Sequence, residues 1–270
     1  MNNEFVLLEN ITYGNHERQK LDLFIPKKAK SDCGLLLFIH GGGWQAGDKT
    51  HHHPDAEYFC RKGYICSTMN YRFVDENINV SDEINDITSA LTAIKNECFK
   101  EGFSIEKLIL SGGSAGAHLS LLFAYTKKEN SPVKPVAVCA YCPPVNLKSP
   151  DFLMGISGKY ENWKYCILSH CCGVKITKES FLCETQQKAL EKISPQSYIT
   201  ESCVPTAVFQ GKLDDLVPFE QTENFVRLLG EKGIKNDFLV YENSGHLLDK
   251  DPDKSMESKK IIEKYAEMYF

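Results

Sequence analysis

The sequence has no segment rich in lysine and arginine, and its formal net charge is −5 at pH 7. A positively charged surface for nucleic acid or for an anionic membrane is therefore not expected. No run approaches the roughly 18 apolar residues of a membrane-spanning helix, and residues 1–10 show no basic stretch followed by a long apolar one. Because these features are absent, we expect neither a membrane span nor a secretory signal. The expected location is the cytoplasm.

Cysteine is abundant, with 11 residues, but the cysteines lack the spacing of a metal site. Their number is odd, and several of them, such as Cys33, Cys66 and Cys139, lie in apolar segments that resemble strands. We interpret most of them as reduced, buried side chains. Cys139 and Cys142 have C-x-x-C spacing and Cys171 and Cys172 are adjacent, but no second pair stands at zinc-site spacing. No metal is expected.

Strand-like and helix-like segments alternate along the chain. The 270 residues are 42% hydrophobic and 25% charged, which is typical of a globular protein with one large core, so a single domain over residues 1–270 is expected. Predicted strands cover 5–13, 21–26, 34–39, 64–70, 107–110, 136–141, 205–210 and 237–241. Predicted helices cover 54–62, 81–98, 115–127, 220–231 and the chain from about 255. This alternation indicates an α/β fold with a mostly parallel sheet and helices on both faces.

One segment interrupts the alternation. Residues 143–195 lie between two predicted strands and are too many for a simple connection. We interpret them as a small inserted cap that is partly helical. Two ordinary surface helices joined by a loop are an equally good interpretation.

The strongest local motif is Ser111-Gly-Gly-Ser-Ala-Gly116, which contains G-x-S-x-G directly after a predicted strand and before a predicted helix. A serine on such a sharp turn needs small neighbours, which Gly112 and Gly116 supply. The turn places Ser114 above the sheet, where it would act as a nucleophile. The N–H of Ala115 at the start of the helix is a candidate donor to an oxyanion.

A second motif, His40-Gly-Gly-Gly-Trp44, follows the most apolar predicted strand. Consecutive glycines let the main chain approach a substrate closely and direct its amides at it. Gly42 and Gly43 are therefore the candidate donors for the rest of an oxyanion hole.

A serine hydroxyl needs a base to accept its proton, and in this kind of fold the histidine follows the serine in the chain. His118, His170 and His246 meet that condition. His118 lies one turn along the predicted helix of the nucleophile, and His170 belongs to the inserted segment. His246 alone follows a predicted strand, so we predict that it is the base. The run of three histidines at 51–53 has no carboxylate pattern beside it and is interpreted as surface or packed residues.

The acid that orients the base is expected after a strand between Ser114 and His246. Asp214 and Asp215 both follow the predicted strand 205–210, and Asp151 is a more remote candidate.

Together these motifs resemble the α/β-hydrolase esterases, in particular the hormone-sensitive-lipase-like carboxylesterases and the acetyl and feruloyl esterase-like proteins. The resemblance spans nearly the whole chain, through Leu21-Asp-Leu-Phe-Ile-Pro26, His40-Gly-Gly-Gly-Trp-Gln-Ala-Gly47, Asn70-Tyr-Arg72 and Gly112-Gly-Ser-Ala-Gly-Ala-His-Leu119. Gly113, in place of the usual aspartate, and His118, in place of the usual asparagine, favour the acetyl/feruloyl esterase and kynurenine-formamidase-like branch. Ala117 replaces the glycine that is usual there.

The resemblance implies a sheet of about eight strands and a serine mechanism that uses no cofactor. The family pattern G-x-x-D-x-x-V-P fits Gly211 to Pro218 and selects Asp214 as the acid. The resemblance also implies that the protein hydrolyses small carboxylic esters through an acyl-serine intermediate. An acetylated sugar or an aryl ester is the leading candidate substrate. The alternatives are an arylformamidase-like amide hydrolase and a non-catalytic ligand-binding relative. The oligomeric state is left open.

Overall fold

A computed structural model describes residues 4–29, 34–153 and 161–270. Its strands are β1 (Phe5–Thr12), β2 (Lys20–Pro26), β3 (Leu35–Ile39), β4 (Ile65–Met69), β5 (Lys107–Gly113), β6 (Lys134–Tyr141), β7 (Thr206–Gly211) and β8 (Asn236–Tyr241). Its α-helices are α1 (His53–Arg61), α2 (Val80–Lys100), α3 (Ala115–Thr126), α4 (Glu161–Cys172), α5 (Glu184–Lys192), α6 (Phe219–Glu231) and α7 (Pro252–Tyr269).

The strands form one eight-stranded sheet in the order β1-β2-β4-β3-β5-β6-β7-β8. The pairs β1/β2 and β2/β4 are antiparallel, and the other pairs are parallel. The predicted α/β class with a mostly parallel sheet of about eight strands is therefore confirmed. The last helix begins at Pro252, three residues before the predicted start, because proline is well suited to the first turn of a helix.

Both faces of the sheet are covered, and the alternation within β3 shows how. Leu35, Leu37 and Ile39 belong to the core under α2, α3 and α6, whereas Leu36 and Phe38 belong to the core under α1 and α7. Neighbouring side chains of a strand point to opposite faces, so a strand covered on both sides needs an unbroken apolar run. That requirement explains the sequence of residues 35–39.

The strand register brings the carboxyl ends of the central strands together. Ile39 of β3 is opposite Gly112 of β5, and Gly113 is opposite Tyr141 of β6. Further along the same edge, Gly211 of β7 is opposite Tyr241 of β8. Side chains in the loops that follow these strands therefore meet at one edge of the sheet.

The interrupting segment, residues 143–195, contains α4 and α5, which contact each other, and α4 also contacts α2. Residues 154–160 of this segment lie outside the described residues. Its interpretation as a cap inserted into a single domain stays a prediction.

Cysteine burial agrees with the interpretation from the sequence. Of the ten described cysteines, none is in a disulfide and seven are buried. Cys33 lies outside the described residues. In the part of the chain that is described, no helix is long and apolar enough to cross a membrane.

Glu83 of α2 is a fully buried carboxyl group, and neither of its oxygens has a hydrogen-bond partner among the described residues. Burial, reinforced by the nearby Asp86, raises the pKa of Glu83 well above its ordinary value. Because the folded protein holds this proton more tightly than the unfolded chain, the group costs stability as the pH rises above about 4.5.

We therefore expect Glu83→Gln to be more stable than the wild type at pH 8, by about 2 °C or more in Tm, and to lose this advantage near pH 4.5. Thermal unfolding followed by circular dichroism across this pH range measures the difference. Glu223→Gln, an exposed change on α6, is the control and should follow the wild type throughout. A pH-independent difference between Glu83→Gln and the wild type would contradict this account.

Candidate active site

Ser114 occupies the sharp turn between β5 and α3. Its backbone angles, φ 52° and ψ −118°, lie where residues other than glycine are rarely found. Two hydrogen bonds hold this conformation: the Ser114 N–H donates to the carbonyl oxygen of Tyr141 at 2.8 Å, and its own carbonyl oxygen accepts from the N–H of His118 at 2.9 Å. The turn is thus fixed to both β6 and α3.

The glycines at either side of the serine allow the turn to pack against the end of β3. A Cβ atom at Gly116 would lie 2.0 Å from the carbonyl oxygen of Ile39, and one at Gly112 would lie 2.6 Å from the same oxygen. A Cβ atom at Gly113 would meet nothing within 4 Å. Steric contact therefore requires glycine at two of these three positions.

We expect Gly116→Ala to lower the free energy of unfolding by about 1–3 kcal/mol. The new Cβ atom would collide with the carbonyl oxygen of Ile39, which is held in β3 and cannot move aside freely. Gly113→Ala is the matched control and should stay within about 0.5 kcal/mol of the wild type. Urea denaturation measures both. Equal stability of the two variants would show that the contact with Ile39 does not constrain the turn.

Ser114, His246 and Asp214 form one chain of hydrogen bonds. His246 Nε2 lies 2.9 Å from Ser114 Oγ, and His246 Nδ1 lies 2.8 Å from Asp214 Oδ2. A carboxylate only accepts, so Nδ1 carries the ring proton and Nε2 is left to accept the serine proton. This is the geometry of a nucleophile, a base and an orienting acid.

Asp214 is buried and held on several sides. Its Oδ1 accepts from the backbone N–H groups of Leu216 at 3.0 Å and Val217 at 2.9 Å, and its Oδ2 accepts from Gln210 Nε2 at 2.9 Å. Burial by itself raises the pKa of Asp214, but the hydrogen bonds from His246 and from these amides outweigh it and hold the pKa below its ordinary value. The carboxylate is therefore ionised at neutral pH.

The other candidate acids and bases lie elsewhere. Asp215 and Asp151 are exposed, and His170 lies on α4, where its Nε2 is 3.9 Å from Cys166 Sγ. His118 is buried, accepts from Trp44 Nε1 at 3.1 Å and donates from Nε2 to the carbonyl oxygen of Ile193 at 2.6 Å. Burial lowers the pKa of His118 to about 4, so it is neutral. It joins the glycine loop to α3 and to the end of α5.

The glycine loop lies against the turn that carries Ser114. Gly42 (φ 122°) and Gly43 (φ 58°) have left-handed backbone angles, and a Cβ atom at Gly41 would lie 2.8 Å from the carbonyl oxygen of Gly113. Gly42 and Gly43 line the same pocket as Ser114. Ala115 is the first residue of α3, so its N–H has no partner within the helix.

Arg18 and His40 support this loop from below, and sequence reasoning missed this role. Arg18 donates to the carbonyl oxygens of Gly47 at 3.2 Å and Tyr71 at 3.0 Å, and to His40 Nε2 at 3.3 Å. His40 Nδ1 donates to the carbonyl oxygen of Gly41 at 2.8 Å. Burial lowers the pKa of His40 to about 4, so this histidine is a neutral structural group.

A pocket of about 580 Å³ is lined by Ser114, His246 and the glycine loop. Its apolar lining includes Trp163, Phe152 and Leu153, which pack on the core beneath α2 and α3. Its polar lining includes His52 and Lys259, from the start of α1 and from α7, the helices that cover the other face of the sheet. This volume suits a small molecule.

Among the described residues, three potential metal ligands meet only where Cys142 lies beside Asp214 and His246, with ligand atoms within 4.8 Å of one another. Burial, and then the charge of Asp214, raises the pKa of the Cys142 thiol well above its ordinary value. A neutral thiol is a poor metal ligand, and the other two groups are hydrogen-bonded to each other. The expectation of no metal and no cofactor stays a prediction.

The run of three histidines is divided between two carboxylates. His53 Nε2 lies 2.8 Å from Asp22 Oδ2, His52 Nδ1 lies 3.1 Å from Asp55 Oδ2, and His51 is exposed. Their side chains do not converge on one point.

Comparison with known proteins gives a consistent result. Residues 21–229 match the sequence profile of the BD-FAE family. The chain belongs to the BD-FAE family. It is 25% identical over 253 residues to a "Probable isoprenylcysteine alpha-carbonyl methylesterase" of Oryza sativa subsp. japonica, covering 89% of this chain and 58% of that protein. It is also 28% identical over 224 residues to a "Probable carboxylic ester hydrolase" of Mycobacterium tuberculosis, covering 80% of this chain and 50% of that protein.

Among solved structures, a truncated carbohydrate esterase from gut microbiota superposes with a TM-score of 0.78 at 19% identity, covering 98% of both chains. The chain therefore has the α/β-hydrolase fold, and the resemblance to α/β-hydrolase esterases seen in the sequence is confirmed. The chain spans about half the length of the curated relatives that it matches.

Proposed function

We propose that this protein is a serine carboxylesterase that hydrolyses small carboxylic esters. The observation that carries the proposal is the continuous hydrogen-bonded chain from Ser114 Oγ through His246 to the buried carboxylate of Asp214. The names of the relatives and of the structural neighbour, all ester hydrolases, support ester rather than amide hydrolysis.

In the proposed reaction, Ser114 Oγ attacks the ester carbonyl carbon while its proton passes to His246 Nε2, and Asp214 stabilises the imidazolium. The amides of Gly42, Gly43 and Ala115 are the proposed donors to the oxyanion. Collapse of the tetrahedral intermediate releases the alcohol with the proton from His246 and leaves an acyl-serine. Water then attacks the acyl-serine by the same steps and releases the acid. One such donor commonly contributes about 3 kcal/mol of barrier lowering.

The substrate is proposed to be small because the pocket holds about 580 Å³. Phe152 and Trp163, which bound it on one side, come from the segment 143–195. We propose that this segment acts as a cap on a single catalytic domain and controls which acyl and alcohol groups enter. An acetylated sugar and an aryl ester are the leading candidates.

We propose the cytoplasm as the location. The support is that the ten described cysteines form no disulfide and that seven of them are buried, which suits a reducing compartment.

Ser114→Ala is expected to lower kcat for p-nitrophenyl acetate by at least about ten-thousand-fold, because it removes the nucleophile while leaving the oxyanion donors in place. The same variant should no longer be labelled by a fluorophosphonate probe. Ser104→Ala, at an exposed serine, is the control and should be labelled and active like the wild type. Absence of labelling in folded wild-type protein would favour a non-catalytic ligand-binding role.

The ester and formamide alternatives are separated by their substrates. The wild type is expected to have a higher kcat/KM for p-nitrophenyl acetate than for N-formylkynurenine, measured by absorbance under identical conditions. The reverse order would replace the esterase proposal by the formamidase one.

A further inference from the structure

Trp44, which ends the glycine loop, has a left-handed backbone. Its φ of 61° is a conformation that bulky residues rarely adopt, and the side chain is buried. Strain of this kind persists only where surrounding contacts hold it, and it is concentrated at functional sites. Because Trp44 directly follows Gly43, its backbone angles set the path of the loop that carries the proposed oxyanion donors.

Three contacts hold Trp44 in this conformation. Its carbonyl oxygen accepts from the N–H of Val74 at 3.0 Å, and its ring meets that of Phe152 edge to face with 6.4 Å between the centroids. Its indole Nε1 donates to His118 Nδ1 at 3.1 Å. The bond to His118 is the contact that ties the loop to α3, the helix that begins directly after Ser114.

The bond to Trp44 requires one tautomer of His118. An indole N–H can only donate, so Nδ1 of the imidazole must carry no proton. His118 Nε2 lies 2.6 Å from the carbonyl oxygen of Ile193, which can only accept, so the ring proton is on Nε2. Burial lowers the pKa of His118 to about 4, so the ring is neutral and Nδ1 is free to accept at neutral pH.

The carbonyl group of Ile193 is held by the segment 143–195. Ile193 directly follows α5 and is buried, and its N–H donates to the carbonyl oxygen of Leu190 at 3.2 Å. The hydroxyl of the adjacent Ser194 accepts from the N–H of Leu147 at 3.0 Å and donates to the carbonyl oxygen of Leu190 at 2.8 Å. The group that selects the tautomer of His118 thus belongs to this segment and not to the sheet.

We propose that Trp44 and His118 are positioning residues, and that their hydrogen bond, with its tautomer fixed by Ile193, holds the glycine loop in the conformation that binds the oxyanion. The segment 143–195 thereby acts on the proposed chemical step as well as on the entry of substrate. The two side chains act through the backbone of the loop, so their loss should affect kcat and not KM. This inference rests on the proposed esterase function.

Asparagine and glutamine at position 118 separate the two hydrogen bonds of the ring. The amide oxygen of asparagine stands near the place of Nδ1 and can accept from Trp44, whereas the amide nitrogen of glutamine stands near the place of Nε2 and serves Ile193 alone. We expect His118→Gln and Trp44→Phe each to lower kcat for p-nitrophenyl acetate by about tenfold to a hundredfold, with KM unchanged within about threefold, because misplaced donors weaken binding of the transition state. His118→Asn should keep kcat within about threefold of the wild type.

A double-mutant cycle distinguishes this role from a general loss of packing. The variant that combines Trp44→Phe with His118→Gln should lose no more kcat than either single variant, since each removes the same hydrogen bond. Tyr125→Phe is the matched control, because it removes a 2.8 Å hydrogen bond to Thr206 Oγ1 at the other end of α3. It should lose thermal stability and keep the wild-type kcat.

Each outcome has a defined meaning. Unchanged kcat in His118→Gln and Trp44→Phe overturns the inference, and so do losses that multiply in the double variant. A loss in His118→Asn equal to that in His118→Gln also overturns it, and so does an equal loss in Tyr125→Phe. Wild-type protein that neither hydrolyses p-nitrophenyl acetate nor reacts with a fluorophosphonate probe overturns the proposed function itself.

Should the variants at positions 44 and 118 fail to fold, the indole N–H signals of the wild type decide. The chain has 2 tryptophans, so nuclear magnetic resonance of protein with isotopically labelled indole nitrogen gives one signal for each, and Trp163→Phe identifies that of Trp44. We expect the Trp44 signal to persist in heavy water far longer than that of the half-buried Trp163, and to move when Ser114 is phosphonylated. Equally fast exchange of both signals, or a Trp44 signal that the adduct leaves unchanged, overturns the inference.

Discussion

The whole candidate site depends on a backbone contact too close for any side chain. Gly112 and Gly116 face the carbonyl oxygen of Ile39 at distances that would place a Cβ atom 2.6 Å and 2.0 Å from it. Because the turn around Ser114 packs directly on the end of β3, the glycine loop that follows β3 is brought beside the serine. The proposed nucleophile and the proposed oxyanion donors are thus positioned by the same contact.

Neutral, buried histidines stabilise this arrangement without sharing in the proposed chemistry. His40 supports Gly41 from one side through its bond to Arg18, and His118 accepts from Trp44 on the other. Burial lowers the pKa of both rings to about 4, so they remain uncharged through the neutral range. His246 differs from them because it faces an ionised carboxylate and the pocket. All three residues are histidines, so it is the surroundings of each ring that distinguish the two structural histidines from the proposed base.

Sequence reasoning reached the fold and the three proposed catalytic residues because each is expressed locally. The apolar run 35–39 indicates a strand that is buried on both faces. The glycines around Ser114 indicate a turn that has no room for Cβ atoms. Asp214 and Asp215 could not be separated by position, since both follow β7. The family pattern selected Asp214, which is the one of the two that faces His246 in the structure. The backbone N–H groups of Leu216 and Val217 donate to its carboxylate and hold it in that orientation.

The contacts of Arg18 and Lys259 could not be predicted from the sequence around either residue. Arg18 lies in the loop between β1 and β2, far in sequence from the loop it supports, and Lys259 is one of many lysines in a helix with an ordinary polar face. Each acquires its contacts only through tertiary structure. Pairings of this kind are recognised when the sheet order and the faces of the helices are known, and neither follows from the composition of the segment itself.

The parallel pairing of β6 with β7 has a consequence for how such a protein can diversify. The chain leaves the edge of the sheet after Tyr141 and returns to a neighbouring strand, where Tyr141 is opposite Phe209. The segment that connects β6 to β7 begins and ends at paired strands, so its length and composition can change without shifting the register of either strand. In the proposed function, the part of the selectivity that this segment supplies and the bond cleavage are therefore encoded in separable parts of the polypeptide, and the former can evolve while the latter is preserved.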